Sequence, residues 1–313
     1  MVKVKFFTKE RIAFNAFSII GIIKLHDGKF LLGSFGSISI YSMQDKKIEM
    51  TIDFSNKRCY EKINVFTQLS NELIVIAVPE SGIKDNIQIF WFGKDKYKKM
   101  KTISNAHSNR FNDIIELSDE RFATCGNEPY IIIYNGIPPY NKITSIDTHS
   151  TSVQSMLEVE EKKYLIVSTK EKQIQIWNMR NYSCETIIGD ICSSSNRTMR
   201  RIANNKIIVG GEKCISTIDL NSFKVMYDPI EGTVISIIEL RDTEIAFVVL
   251  TNEDDSLVSL KKYNYNHHIF DTLMKYITND FNYYSLVEID KKSFILSSNA
   301  LYLWKYEYIY IYN

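Results

Sequence analysis

The sequence predicts an all-β fold, a seven-bladed β-propeller of four-stranded antiparallel blades, on three observations. One short phrase occurs seven times along the 313 residues: an apolar pair, a polar residue, an apolar residue, a polar turn and a second apolar run, with a polar residue in place of the second member of the pair in two copies. From Phe30 to Phe294 these second runs recur every 44 residues on average, which is the period of a propeller blade. The runs are rich in Ile, Val, Tyr and Phe and often alternate with a two-residue period, which is typical of half-buried strands.

Each copy of the phrase continues with a third apolar run, and most copies continue with a fourth. The third run of the fourth copy, for example, is Ile174-Gln175-Ile176-Trp177. Four short strands in every copy indicate one propeller domain over residues 1–313. We predict blade cores at about 18–53, 60–104, 109–147, 151–188, 196–228, 233–275 and 281–313.

The two ends of the chain bear on how the ring closes. Residues 2–8 begin with an alternating segment that resembles an outer strand, and only nine residues follow Trp304. Because an open propeller would leave bare strand edges, we expect residues 2–8 to complete the last blade beside the C-terminal strand. The sequence leaves one alternative open, in which residues 308–312 fold back as that strand.

Composition and charge exclude several classes of protein. The 38 Lys and Arg residues against 37 Asp and Glu leave a net charge of +1, which argues against nucleic acid or anionic lipid bound by bulk charge. The longest stretch without a charged residue, residues 30–44, is too short for a membrane-spanning helix. Five cysteines without a close CxxC pair indicate reduced thiols and a cytoplasmic protein.

The fourth copy resembles a WD repeat. His149 precedes its first strand, Ser168 lies on its second and Trp177 on its third, while Lys172 occupies the position where that family has Asp. In the third copy, His107 is the equivalent histidine. The resemblance is to a divergent WD-repeat protein, and it implies that His149, Ser168, Trp177 and His107 form buried structural networks within the blades.

A rigid WD-like disc predicts a non-catalytic scaffold that binds a protein or peptide partner, as a subunit of a larger complex. In such propellers the loops between second and third strands and those between blades open on one face, and binding residues concentrate in loops. The candidate contact residues on this face are Lys62, Lys84, Arg110, Tyr130, Arg197, Asp254 and Asp255.

Two other functions stay open as alternatives. The adjacent Arg200 and Arg201 are similar to the paired arginines of propellers that bind phosphoinositides, although Met199 and Ile202 flank them instead of that family's residues. A propeller enzyme with a central-channel site would need several titratable residues there, and the sequence has no GxSxG, HExxH or nucleotide-binding glycine motif. We therefore expect no catalytic residue, no metal and no cofactor.

Overall fold

The computed structural model describes most of the chain, and its regular secondary structure there is entirely β. The described residues are 2–12, 19–54, 62–63, 65–78, 85–93, 96–159, 163–189, 191, 193–241, 244–251, 257–277, 285–290, 293–297 and 301–310. No helix long and apolar enough to cross a membrane occurs within these ranges.

Five antiparallel sheets of the described chain have four strands each. The first contains β2 (Gly21–Lys24), β3 (Phe30–Gly33), β4 (Ser37–Ser42) and β5 (Lys47–Asp53). The second contains β6 (Phe66–Gln68), β7 (Leu73–Val78), β8 (Asp85–Phe92) and β9 (Tyr97–His107). The third contains β10 (Phe111–Leu117), β11 (Arg121–Gly126), β12 (Tyr130–Asn135) and β13 (Lys142–Asp147). The fourth contains β14 (Val153–Val159), β15 (Tyr164–Thr169), β16 (Ile174–Asn178) and β17 (Ser183–Ile188).

The next sheet corrects the prediction of seven separate four-stranded blades. It has six strands: β18 (Ser193–Ile202), β19 (Lys206–Asp219), β20 (Val225–Arg241), β21 (Glu244–Thr251), β22 (Leu257–Asn264) and β23 (Ile269–Ile277). The described chain thus forms six sheets, and the ranges predicted as 196–228 and 233–275 lie in one of them.

A continuous strand explains this difference. We expected a break near 229–232, but β20 runs through it, so that Thr233 pairs with Glu212 on one side and with Leu250 on the other. Gly232 allows the passage because its φ of +101° is a conformation that residues with a side chain rarely adopt. A Cβ at this position would also lie 2.1 Å from the carbonyl oxygen of Leu250.

We therefore expect Gly232→Ala to destabilise the protein by about 2 kcal/mol, from backbone strain and from the clash with Leu250. Thermal melting should show the loss as a lower Tm. The matched control is Gly189→Ala, since nothing lies within 4 Å of a Cβ there and the change should stay within about 0.5 kcal/mol. Equal Tm values for the two variants would contradict the strand geometry described here.

The two ends of the chain meet in the last sheet. Its order is β1 (Val2–Ile12), β26 (Leu301–Tyr310), β25 (Ser293–Ser297) and β24 (Ser285–Asp290). β1 pairs antiparallel with β26 from Val2↔Tyr310 to Ile12↔Leu301. The N-terminal strand therefore completes this sheet, as expected, and β26 extends as a single strand through residue 310 instead of folding back.

The hydrophobic core lies between neighbouring sheets. One buried cluster joins the first and second sheets and includes Leu31, Ile38 and Ile76. Further clusters join each following pair of sheets. The last of them packs Ile22 and Phe30 of the first sheet against Ile295 of the last. Each sheet therefore packs on both neighbours in a closed cycle, which is the arrangement of a β-propeller.

Polar residues of the repeated phrase link neighbouring sheets at one edge of the ring. We call this the bottom edge, because it carries the turns between the first and second strands and between the third and fourth. The backbone N–H of His26 donates to Oε1 of Gln68 (2.8 Å), and that of Ser70 donates to Oε1 of Glu116 (2.5 Å). The N–H of Ser118 donates to Oε2 of Glu158 (2.8 Å). The polar side chain of one repeated phrase thus accepts a hydrogen bond from a backbone N–H in the turn of the preceding sheet.

Candidate interaction surface

The described members of the predicted contact set lie mostly at the opposite edge, which we call the top edge. Lys62 forms an isolated β-bridge with Phe35, in the connection between β3 and β4, and its Nζ lies 5.8 Å from the centre of the Phe35 ring. Arg110 immediately precedes β10 and Tyr130 begins β12; both are exposed. Phe35 and Tyr130 each retain 43% of their accessible surface. This edge therefore presents cationic and aromatic side chains together.

The other predicted contact residues are not placed in this way. Arg197 belongs to β18, but its side chain is outside the description. Lys84, Asp254 and Asp255 lie outside the described residues.

A buried hydrogen-bond network supports the top edge of the third sheet. Nε2 of His107 lies 2.8 Å from Oγ1 of Thr124, and its Nδ1 contacts Oε1 of Glu128. The backbone N–H and hydroxyl of Ser108 donate to Oε2 of the same carboxylate. His107 has no exposed side-chain surface and Glu128 only 9%. Both ring nitrogens of His107 thus contact buried side-chain oxygens, and its structural role stays a prediction.

The electrostatics of Glu128 follow from these partners. Burial alone would raise the pKa of this carboxyl, but the hydrogen bonds from His107 and Ser108, together with the nearby histidine, outweigh it and hold the pKa below its ordinary value. Glu128 therefore carries a negative charge that fixes the segment from His107 to Arg110. The end of this segment is also held: the backbone N–H of Asn127, just after β11, donates to the carbonyl of Arg110 at 2.9 Å.

The sequence contains a signal for Glu128 that the prediction of the site residues did not use. Thr124 is the third-sheet counterpart of Ser168, and Glu128 follows Thr124 by four residues, as Lys172 follows Ser168. A carboxylate thus stands in the third sheet where the WD repeat has its Asp. The complete network joins His107, at the end of β9 in the second sheet, to Thr124 and Glu128 of the third sheet. It lies one sheet before the place where the motif looked strongest.

The network predicted around His149 in the fourth sheet is wrong. The His149 side chain is 86% exposed and its backbone N–H donates to Asp147. Ser168 is buried but contacts the carbonyl of Ser155 at 3.5 Å. With the exposed Lys172 in place of Asp, no carboxylate is available at that position to hold a buried histidine ring.

Trp177 is buried as predicted, but it has a different partner. Its Nε1 donates to Oε1 of Gln175 at 2.9 Å, and Nε2 of Gln175 donates to the carbonyl of Thr148 at 3.0 Å. An amide side chain offers both a donor and an acceptor, so Gln175 satisfies the indole without help from histidine.

The third and fourth sheets are joined at the top edge by side-chain hydrogen bonds. Nδ2 of Asn112 donates to the carbonyl of Val153 at 2.7 Å and to Oδ1 of Asn127 at 2.9 Å. Oδ2 of Asp113 accepts from the N–H of Met156 at 2.9 Å. These bonds fix the two sheets relative to each other, so Arg110 and Tyr130 rest on a rigid support.

The paired arginines do not form a joint cation site. Nε of Arg200 donates to the carbonyl of Ile237 at 3.2 Å, and its charge interacts with those of Asp113 and Glu288. These residues belong to β20, β10 and β24, so the guanidinium lies among strands of different sheets. Desolvation by the surrounding strands lowers the pKa of Arg200, and the two carboxylates act in the opposite direction, although the residue as a whole is exposed. Arg201 is the next strand residue and projects to the other side.

The sequence predicted that the cysteines are reduced, and the structure differs at one of them. Cys125 is free and buried, and Cys184 is free and exposed, but Cys214 is disulfide-bonded. The prediction is therefore wrong for Cys214. Burial raises the pKa of the Cys125 thiol well above its ordinary value, which makes it a poor nucleophile.

The described cycle of sheets with the network of His107, Thr124 and Glu128 has the fold of a WD-repeat propeller, as the sequence predicted. The chain is similar to the protein in the crystal structure of the RRP9 WD40 repeats, with a TM-score of 0.75. The alignment covers 96% of this chain and 97% of that chain at 10% sequence identity. No protein-family model and no curated protein matches the sequence. Because 1560 chains of solved structures match, the fold alone does not select one function.

Proposed function

We propose that this protein is a non-catalytic scaffold that binds a protein or peptide partner at its top edge, as a subunit of a larger complex. The observation that carries the proposal is the exposure of Arg110 and Tyr130 above the buried network of His107 and Glu128. Arginine and tyrosine are enriched among the residues that dominate binding energy. A surface that is already ordered loses little conformational entropy when a partner binds.

The neighbouring sheets offer room for a specific interface. Lys62 and Phe35 lie at the top edge of the first sheet, and Glu171 lies between β15 and β16 of the fourth. Glu171 accepts hydrogen bonds from the N–H (2.7 Å) and hydroxyl (2.6 Å) of Thr151, so it orders another top-edge connection. Connections of several sheets can together supply the roughly 800 Å² per partner that a stable interface requires.

The contacts of the residues concerned argue against both alternative functions. Nε of Arg200 donates to the carbonyl of Ile237, and Arg201 projects to the other side of the same strand, so the two cations do not face one phosphoinositide together although both are exposed. Asp113 and Arg200 approach the middle of the ring, but Asp113 is held by Met156 and Ser155. We therefore propose neither a phosphoinositide site nor a central-channel enzyme, and we propose no catalytic residue or cofactor.

The cytoplasm is the proposed compartment, on the basis of the free Cys125 and Cys184. The disulfide bond of Cys214 argues against this compartment. Rapid alkylation of thiols in intact native cells, followed by mass spectrometry of Cys214, tests the compartment: a labelled, reduced Cys214 supports the cytoplasm, and a protected one contradicts it.

The proposed top-edge site predicts that Arg110→Ala combined with Tyr130→Ala will weaken partner binding by at least about tenfold, since truncation of hot-spot residues costs about 1–2 kcal/mol each. The tagged protein is purified from its native cells, and quantitative mass spectrometry identifies the partner that it retains. The affinity of each variant for this partner is then measured. Both side chains are exposed, so the Tm should stay unchanged.

The control variant combines Arg180→Ala with Tyr97→Ala. Arg180 is exposed in the turn between β16 and β17 at the bottom edge, and Tyr97, at 45% exposure, begins the outer strand β9. This pair changes the same residue types away from the proposed site and should retain the complex. Equal loss of the partner in both variants, or in neither, would count against the top edge as the binding site.

A further inference from the structure

A surface cavity of about 270 Å³ lies at the bottom edge between the first and second sheets. Its apolar floor comes from both sheets and includes Leu25, Ile40 and Ile74, each no more than 6% exposed, with Met50 and Phe92 beside them. The edge that carries Arg110 and Tyr130 is at the other end of the strands, so this cavity is separate from the proposed top-edge surface.

The rim of the cavity is acidic. Asp27, Glu49 and Glu72 line it, against the single ammonium group of Lys29. Nζ of Lys29 lies 2.7 Å from Glu49 and 3.5 Å from Asp27. The hydrogen bond with Glu49 raises the pKa of Lys29, against the smaller opposing effect of burial, so Lys29 stays charged at neutral pH. The four ionised groups leave a local excess of two negative charges.

Glu72 supplies the carboxylate that is not matched by Lys29. Its Oε2 accepts from Nε2 of Gln68 at 2.8 Å, and its Oε1 lies 3.2 Å from Nδ1 of His26. Among the ion pairs of the described residues, Glu72 has this histidine as its partner and no lysine or arginine. Gln68 is itself held by the N–H of His26, so the rim is ordered although Glu72 is 57% exposed.

We propose that this cavity binds an arginine side chain presented by a protein partner. An arginine has an aliphatic stem that can lie along Ile40, Met50 and Ile74, while its planar guanidinium can donate to carboxylates such as Glu72 at the rim. The cavity volume accommodates one such side chain and part of the adjoining peptide. The excess negative charge and the apolar floor together favour this chemistry over an anion or a purely apolar group.

The test compares two peptides that differ only in charge. Acetyl-Gly-Leu-Arg-Leu-Gly-amide is titrated into the full chain by NMR, beside the same peptide with citrulline, the neutral isostere of arginine. We expect the arginine peptide to bind at least about fivefold more tightly and to shift the signals of Met50 and Ile74, and we expect added salt to weaken it. Equal binding of the two peptides, or shifts confined to other residues, would overturn the proposal.

Two variants predict changes of opposite sign. Glu72→Gln keeps the size of the side chain but removes its charge, and should weaken arginine-peptide binding about threefold to fivefold. Lys29→Gln removes the positive charge and should strengthen binding by a similar factor, a result that general loss of structure would not produce. Glu185→Gln, an exposed carboxylate on β17, is the matched control and should leave binding unchanged.

Benzamidinium, a small aromatic cation, separates a peptide site from a site for free cations. If it shifts the Met50 and Ile74 signals but the arginine peptide does not, the cavity takes small cations and the proposed occupant is wrong. If Glu72→Gln melts normally and still binds the arginine peptide with unchanged affinity, the charge-based proposal is wrong. None of these measurements involves Arg110 or Tyr130, so the top-edge function can fail or hold independently.

Discussion

Replacing Trp177 with alanine is expected to lower the free energy of unfolding by about 3–5 kcal/mol, the usual cost of removing a buried aromatic side chain. Trp177 is 6% exposed and packs with Leu117, Ile133 and Met156 in the core between the third and fourth sheets. The substitution leaves a cavity in this core and deprives Oε1 of Gln175 of its donor.

Thermal melting should show this loss as a fall in Tm of roughly 5–10 °C. Trp91 provides the matched control because it is 38% exposed on β8, and Trp91→Ala should cost less than about 1 kcal/mol. Trp177→Phe retains most of the packing and isolates the hydrogen bond to Gln175. A Trp177→Ala variant that melts like Trp91→Ala would show that the indole is not buried as described.

Removal of the Glu128 carboxylate is expected to cost about 3 kcal/mol. Glu128→Ala leaves the fully buried ring of His107 and the hydroxyl of Ser108 without their acceptor, and such unpaired buried groups are expensive. The same variant should loosen the connection that carries Arg110. We therefore expect lower stability together with weaker partner binding, whereas Trp177→Ala should affect stability first.

The pH dependence of stability tests the charge of Glu128. Since its pKa is lower in the folded protein than the ordinary 4.5, the ionised carboxylate stabilises the fold above that pH, and this contribution is lost as the pH falls through the folded-state pKa. The difference in Tm between the wild type and Glu128→Gln should therefore shrink as the pH is lowered from about 6 to about 3. A difference that is constant over this range would contradict the assignment.

The strands themselves could be predicted because their signal is local. The runs around Phe30, Phe122 and Ile207 alternate or cluster over a few residues, and β3, β11 and β19 include them. The division into separate sheets depends on whether the chain breaks between strands. At Pro229–Gly232 the residues are typical of a turn, yet Gly232 allows β20 to continue, and that outcome depends on pairing with both β19 and β21.

The candidate sites depended on contacts between segments far apart in the sequence. The bond from Ser70 to Glu116 and the bond from Gln175 to the carbonyl of Thr148 become evident only when the chain is folded. The cavity at the bottom edge likewise combines Lys29 and Glu49 with Glu72, residues that no short motif connects. The exposure of Arg110, in contrast, followed from its place in a short connection between two predicted strands.

The pairing of β1 with β26 also sets an order of events during protein synthesis. Val2 is translated roughly 300 residues before its partner Tyr310. At typical elongation rates of about 5–20 residues per second, β1 must wait about 15–60 s for β26. During that interval both β1 and the sheets already formed present open edges, so a chaperone or a second nascent chain can engage them before the ring is sealed.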